Sequence, residues 1–394
     1  MIEKILKKTA SFSEENPILM VLIILIITIF AGISSTNIKS QTAFEKMLPQ
    51  DDPVIKTLYE VRDNFGGTDV VAIAIKLKPS DSPDKVNDIR DPRVLKLIKF
   101  IEDDLKDVNG ITKVSSPADE IIQRNDGNIP NDLDTVKEIY NSLPDDKKNR
   151  IYNADYSMVI VNADTDVGGD KSKLRRVMAD VYETVDDAPV PPGVEVVYTG
   201  TPAMDLLTDK LMKKSQSFTT LLGLTGILIV LYLYFRKPLS AAMPLIPVLI
   251  AVVWTGGAMG LLGIPLDMAT AGMGSLLLGM GIDYGIHLMH RYEEERTKNK
   301  RPMKESLETA VVSTGTAIFT TTTTTIIGFL ALTMAPLPLM ANLGRVCAIG
   351  IFFCMCVVIA LLPALLVIEE KYVTSRYKKN NNSLSSSGTQ DMKK

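Results

Sequence analysis

An aspartate, a tyrosine and two histidines stand together near the end of an apolar run, in the stretch GMGIDYGIHLMHRY at residues 279–292. Asp283 is the one acidic residue well inside any of the chain's long uncharged runs, and no lysine or arginine stands at comparable depth. Desolvation in hydrocarbon disfavours the charged form of a carboxyl. Such a group holds a proton and releases it when water or a partner arrives, which is the acid–base chemistry of ion coupling. The plainer alternative is a permanently neutral aspartate that makes a helix–helix hydrogen bond. His287 is one helical turn from Asp283 and His290 two turns, about 40° and −20° around the helix axis, so the three share a stripe. The chain has no other histidine. Imidazole titrates in the range a relay from Asp283 toward the helix end requires. For His290 a place among lipid headgroups is the simpler reading.

Other elements must position this stripe. Gly279, Gly281 and Gly285 surround the aspartate, and Gly272 and Gly274 lie earlier on the same segment. Small residues admit a second helix at close range, so the carboxyl is expected to face protein rather than lipid. Gly256, Gly257 and Gly260 on the preceding helix offer a matching surface. A later segment, STGTAIFTTTTTTIIGF, holds six consecutive threonines from Thr320 to Thr325. Threonine can bond the carbonyl of the preceding turn, which makes it tolerable in lipid, and most of these are expected to do only that. One or two, with Thr321 and Thr324 as candidates, would donate to Asp283 or order water beside it.

The uncharged runs are long enough to matter. About 20 apolar residues span a hydrocarbon core roughly 30 Å thick, and the sequence predicts six transmembrane helices at 17–35, 217–235, 239–262, 267–290, 309–335 and 339–367. Lys4, Lys7 and Lys8 before the first run fit a signal peptide, but the run is long for a signal and no clean small-x-small cleavage site follows, so a retained helix is expected. Basic residues cluster after the second and fourth helices (Arg236, Lys237, Arg291, Arg296, Lys298, Lys300, Arg301 and Lys304) and in the tail (Lys371, Arg376, Lys378 and Lys379). The turns GIPLD and APLPL carry none. Both termini are therefore expected in the cytoplasm of a multi-pass cell-membrane protein, with the large loop outside. That loop, residues 39–216, has 25 basic against 33 acidic residues, while the chain as a whole is near neutrality, so its remainder is basic. Cys347, Cys354 and Cys356 all fall in the sixth helix and read as small buried apolar residues. The domains expected are 1–35 (terminus and first helix), 36–216 (external), 217–370 (five helices) and a disordered cytoplasmic tail at 371–394.

The external loop is too long to be a connector and must fold. DVVAIAIKLK (69–78), GITKVSS (110–116), SMVIVNAD (157–164) and GVEVVYTG (193–200) read as strands. DPRVLKLIKFIEDDL (91–105), with Asp91 as N-cap and Pro92 in the first turn, and DKSKLRRVMADVYETV (170–185) read as helices. Residues 117–150 read as short helices and turns. Two β-α-β units of this kind predict a ferredoxin-like α+β layer with helices on one face. TPAMDLLTDKLMKKSQ (201–216) has leucines at helical spacing. It is either a rod running straight into the second transmembrane helix or an ordinary helical linker.

Several chemistries have no motif. The chain lacks G-x-x-x-x-G-K-[ST], H-E-x-x-H, G-x-S-x-G and any cysteine cluster, so nucleotide hydrolysis, a bound metal or cofactor and nucleophilic catalysis are not expected. Scattered external carboxylates read as a solvated acidic face. Nucleic-acid binding has no support.

One helix, a large external domain and five more helices resemble the repeat unit of the resistance-nodulation-division (RND) superfamily. GMGIDYGIHLMHRYEEE is similar to that family's fourth-helix motif, G-x-x-x-D followed by tyrosine. The likeness is strongest to the branch of the mycobacterial membrane protein large lipid exporters and their archaeal relatives. TTIIGFLALTMAPLPLMANLGRVCAIGIF (324–352), FEKMLPQDDPVIKTLYEVRDNFGGTDVV (44–71) and VVYTGTPAM (196–204) are similar to other family segments, and the likeness covers about residues 10–370. It implies a six-helix α-helical membrane bundle with a porter-like external domain, and a proton relay at Asp283 and Tyr284. It also implies export of hydrophobic or amphiphilic molecules, lipids above all, driven by the proton-motive force. The family usually holds two such repeats in one chain. A C2 homodimer of this half-size chain would restore the pair, with helix four at the axis and Asp283 of each copy near Tyr284 of the other. The lysine that some drug-efflux members place near their aspartates is missing here. Two other readings remain: a lipid-binding, sterol-sensing-like module that regulates a partner, and an accessory subunit of protein secretion, whose expected motifs in helix four are absent.

Overall fold

The computed structural model describes residues 2–65, 69–144, 147–148, 151–167, 171–236 and 242–374. Lys237, Arg376, Lys378, Lys379 and the tail from 375 onward, expected to be disordered, lie outside the described residues. The chain forms two compact units, residues 50–210 and residues 1–49 with 211–394.

The first unit holds four strands, β1 (Asp69–Leu77), β2 (Ile111–Ser115), β3 (Met158–Thr165) and β4 (Val194–Gly200). They lie in the order β2-β3-β1-β4, every adjacent pair antiparallel. Each β-α-β unit thus encloses a strand of the other. Alternation at period two sends Val71, Ile73 and Ile75 of β1 and Val159, Val161 and Ala163 of β3 to one buried face. The crossover helices cover that face. Helix α1 (Pro92–Lys106) buries Leu95, Ile98, Ile101 and Leu105, and α2 (Lys171–Asp186) buries Leu174, Val177, Met178 and Val181. Asp91 caps α1 by accepting from the Arg93 amide at 2.8 Å, and Pro92 opens the first turn. Two shorter helices, α3 (Pro117–Arg124) and α4 (Leu133–Asn141), complete the packing through Ala118, Ile121 and Val136.

One carboxylate is placed inside this unit. Glu102 of α1 has no solvent-exposed surface. It accepts from Ser116 Oγ at 2.6 Å and pairs with Lys106 and with Lys99, the latter at 3.7 Å. Burial raises its pKa, but the bonds from Lys106 and Ser116 outweigh burial and hold it below the usual carboxylate range. Asp119 nearby is pushed up by burial and by the charge of Glu102.

β4 passes directly into helix α5 (Thr201–Phe235), a single helix of 35 residues. Gly200 makes the turn. Its φ is +100°, and a Cβ there would lie 2.0 Å from the carbonyl oxygen of Val70, so only glycine fits. Asp209 of α5 is buried and pairs with Lys171 and Arg175 of α2 at 3.0 and 2.9 Å.

The second unit is helical: α6 (Ile2–Glu15), α7 (Pro17–Ser35), α5 from Leu211 onward, α8 (Leu245–Leu262), α9 (Met273–Thr297), α10 (Met303–Ala331) and α11 (Pro338–Ile368). Among the described residues five helices are long and apolar enough to cross a membrane, namely α7, α5, α8, α10 and α11. Helix α9 stands where the fourth crossing is expected, but Asp283, His287, His290 and the charged last turns keep it less apolar than the others. Its start also differs from expectation. Asp267 takes the amides of Ala269 and Thr270 at 3.0 and 2.9 Å, which makes a turn where a helix is predicted. Helix α6 is amphipathic and lies outside the predicted elements: Leu6 packs on Gly315, and Ser13 Oγ donates to the Ala360 carbonyl at 3.2 Å.

Candidate functional site

The site is built on α9, whose approach is tied to α11 and whose far end is tied to the turns that follow α11. At one end Asp267 Oδ2 accepts from Asn342 Nδ2 at 3.1 Å. At the other, Tyr292 donates to Glu370 at 2.6 Å, and Arg296 pairs with the same carboxylate. Buried Glu295 accepts from Arg291 at 2.7 Å, from Asn299 at 2.9 Å and from Arg301 at 3.2 Å, closing the connector into α10. In the sequence these residues stand out only as charges that orient the chain. Which acid each base meets depends on the tertiary fold.

Between these anchors α9 has two faces. On one, small residues let neighbours in. A Cβ at Gly281 would lie 2.8 Å from Cys354 Sγ and 3.0 Å from Val248. One at Gly285 would lie 2.9 Å from the Pro244 carbonyl oxygen. Tyr284 is buried on this side, and Thr322 Oγ1 of α10 donates to its hydroxyl at 3.0 Å. Thr322 is thus the member of the threonine run that turns inward. Thr321 and Thr324, singled out from sequence, are exposed and bond the carbonyls of Ala317, Ile318 and Thr321 in their own helix. A run of one residue type carries no phase, so sequence had no signal by which to choose among them.

The other face is open. Asp283, His287 and His290 are exposed, Gly279 is too, and a Cβ at Gly279 would meet nothing within 4 Å. The expectation that the glycines bring protein over the aspartate is corrected for Gly281 and Gly285. Each is two residues from Asp283, about 200° around the helix, so the helices they admit pack behind the carboxyl. Gly257 and Gly260 do not face α9 either. A Cβ at Gly257 would lie 2.7 Å from Ala31 and one at Gly260 2.0 Å from the Ser34 oxygen, so these glycines seat α8 on α7, where Trp254 donates to Thr28 at 2.9 Å. Within its own chain Asp283 makes no hydrogen bond or ion pair among the described residues.

Cys347 and Cys354 are buried and Cys356 half-buried, all three as free thiols within α11. Among the described residues of the single chain no three histidine, cysteine, aspartate or glutamate side chains converge as metal ligands do.

Comparison with known proteins matches residues 46–385 to the MMPL family. A putative membrane protein of Methanocaldococcus jannaschii is 70% identical over 373 residues, covering 95% of this chain and 96% of that protein. The putative membrane protein ActII-3 of Streptomyces coelicolor is 31% identical over 159 residues, 39% of this chain and 22% of that protein. The probable transport protein MmpL4 of Mycobacterium leprae is 28% identical over 198 residues, 49% of this chain and 20% of that protein. The chain therefore matches nearly the whole length of the first of these and about a fifth of the other two.

Proposed function

Because the chain belongs to the MMPL family, whose members are transporters rather than enzymes, we propose that it exports hydrophobic or amphiphilic molecules, lipids above all, and that proton movement through Asp283 drives it. The observation that carries this reading is the open face of α9. A carboxyl with no partner among the described residues of its own chain, on a helix packed among membrane-crossing helices, is costly and marks a functional site. A second copy related by a two-fold axis along α9 would cover that face, and Gly279 leaves room for it. The six-helix bundle of this proposal counts α9 as the fourth crossing, with both termini cytoplasmic and a porter-like domain at 36–216 outside.

Tyr284 enters as the second relay group. Its hydroxyl is held by Thr322, so reaching Asp283 of the other copy requires that bond to open. In the proposed cycle a protonated Asp283 lets the two helices close, and loss of the proton drives them apart. The unbroken α5, held to α2 through Asp209, supports passage of that motion into the external domain. Reconstitution in liposomes tests the reading. Asp283→Asn should fold, insert and bind substrate, yet neither dissipate a pH gradient nor transport. Full transport by that variant would reject the mechanism.

A further inference from the structure

The chain's two histidines have no role in the packing of α9. His287 and His290 are both exposed, three residues apart, on the stripe that carries Asp283 and Gly279. Neither makes a hydrogen bond or an ion pair among the described residues. The charged groups beside them are spoken for, since Arg291 pairs with Glu294 at 3.2 Å and with Glu295 at 2.7 Å. Side chains three apart on a helix have Cβ atoms about 5–6 Å from each other. That is within the bite of one ion bound by imidazole nitrogen at about 2.0–2.1 Å.

We propose that His287 and His290, joined by the same pair from a second copy, form a four-imidazole site for a divalent transition-metal ion of the zinc class. This rests on the paired arrangement proposed above. Within one chain the set is incomplete, because Asp283 and His290 are two turns apart, about 10 Å along the axis. A two-fold axis running along α9 brings equivalent residues to the same height. Open space at Gly279, two turns before His287, allows the two helices the close approach that four ligands around one ion require. Neutral imidazole suits zinc and its neighbours, whereas magnesium and calcium prefer oxygen ligands. Asp283 lies one turn before His287, where its carboxylate can accept the proton of the imidazole nitrogen that faces away from the ion. Such a partner fixes the ring and strengthens the ligand. The ion would pin the two copies at the histidine end of the stripe, so that loss of the proton from Asp283 parts the helices on the Gly279 side of that pivot.

The test uses the full chain purified in detergent without a histidine tag and stripped with a chelator, with zinc alone as the probe. Bound zinc is measured after dialysis, and particle mass by light scattering with and without zinc. The expected result is one zinc per two chains, no measurable binding by the variant His287→Ala/His290→Ala, and affinity about 10–100-fold weaker in Asp283→Asn. Cobalt in place of zinc should give the visible bands of a tetrahedral nitrogen site without thiolate charge transfer. Circular dichroism checks that the histidine-free variant folds, and the single variants His287→Asn and His290→Asn must each lose affinity. One zinc per chain, undiminished binding by the histidine-free variant, or a thiolate band would overturn the proposal. A dimer that forms without zinc and binds none also overturns it while leaving the paired arrangement intact. A monomer that binds none removes both.

Discussion

Replacing the glycines of α9 one at a time separates the face packed within the chain from the face left open. At Gly285 an added Cβ would lie 2.9 Å from the carbonyl oxygen of Pro244 and 2.8 Å from its Cβ. Pro244 is buried, and its backbone cannot rotate out of the way. At Gly281 the nearest atoms, 2.8 and 3.0 Å away, belong to the buried side chains of Cys354 and Val248. At Gly279 nothing lies within 4 Å. Alanine is favoured over glycine in a helix by about 1 kcal/mol, and overpacking a tight contact costs about 1–3 kcal/mol. Gly279→Ala should therefore leave the single chain unchanged or up to about 1 kcal/mol more stable. Gly285→Ala should lose up to about 2 kcal/mol, the overpacking cost less the helix gain. Gly281→Ala should fall between, and Gly285→Val should be worse than Gly285→Ala because it adds two more methyl groups to the same space. The assay is thermal unfolding of the purified chain in a detergent that holds it monomeric. In a milder detergent Gly279→Leu should lower the particle mass from two copies to one without unfolding the chain. If Gly279→Ala costs as much as Gly285→Ala in the monomer, Gly279 and Gly285 do not lie on opposite faces of α9, and the reasoning fails.

Thr322→Val should weaken the contact between α9 and α10 by about 0.6 kcal/mol, the average for such bonds within membranes, whereas Thr321→Val should change unfolding by much less, since it bonds only its own helix. In the unit of residues 50–210, Glu102 is held below its ordinary pKa, so its stabilisation is present above the unfolded value and is lost as pH falls through the folded one. Asp119, pushed up, acts in the opposite sense and is relieved by the same acidification. Glu102→Gln should accordingly speed hydrogen exchange over residues 92–124 at neutral pH, by about 1.5–3 kcal/mol for a lost charged hydrogen bond. The difference from the natural chain should vanish in acid. Asp209→Asn should loosen the first turns of α5 from α2 by about 1 kcal/mol, since both cations keep access to water. Hydrogen exchange of the amides at 201–210 reads that directly.

The fold of the α+β unit is legible in the sequence because its signals are local. Alternating valine and isoleucine, an aspartate–proline helix start and the positions of two helices between four strands place every strand within a residue or two. The helix α7 was equally plain, since Pro17 and the end of the apolar run bound it. The amphipathic α6 is hidden because its lysines look like charge flanking the apolar run, although Leu6, Ala10 and Ser13 already lie three or four residues apart. The site was half legible. Polarity within an apolar run singles out Asp283 and His287, and the family likeness adds Tyr284, but which side of α9 is covered depends on partners far along the chain. Gly281 and Gly285 read as neighbours of the aspartate, yet they serve the opposite face. Thr322 cannot be told from its identical neighbours until α10 is set against α9.

The central claim is that the carboxyl of Asp283 gains and loses a proton inside the membrane. Infrared difference spectroscopy on the protein in lipid, with Asp283→Asn to assign the band, measures that directly. The account predicts a protonated-carboxyl band that disappears between mildly acidic and alkaline conditions and shifts when substrate binds. A band that neither titrates nor moves across that range, with or without substrate, would contradict it.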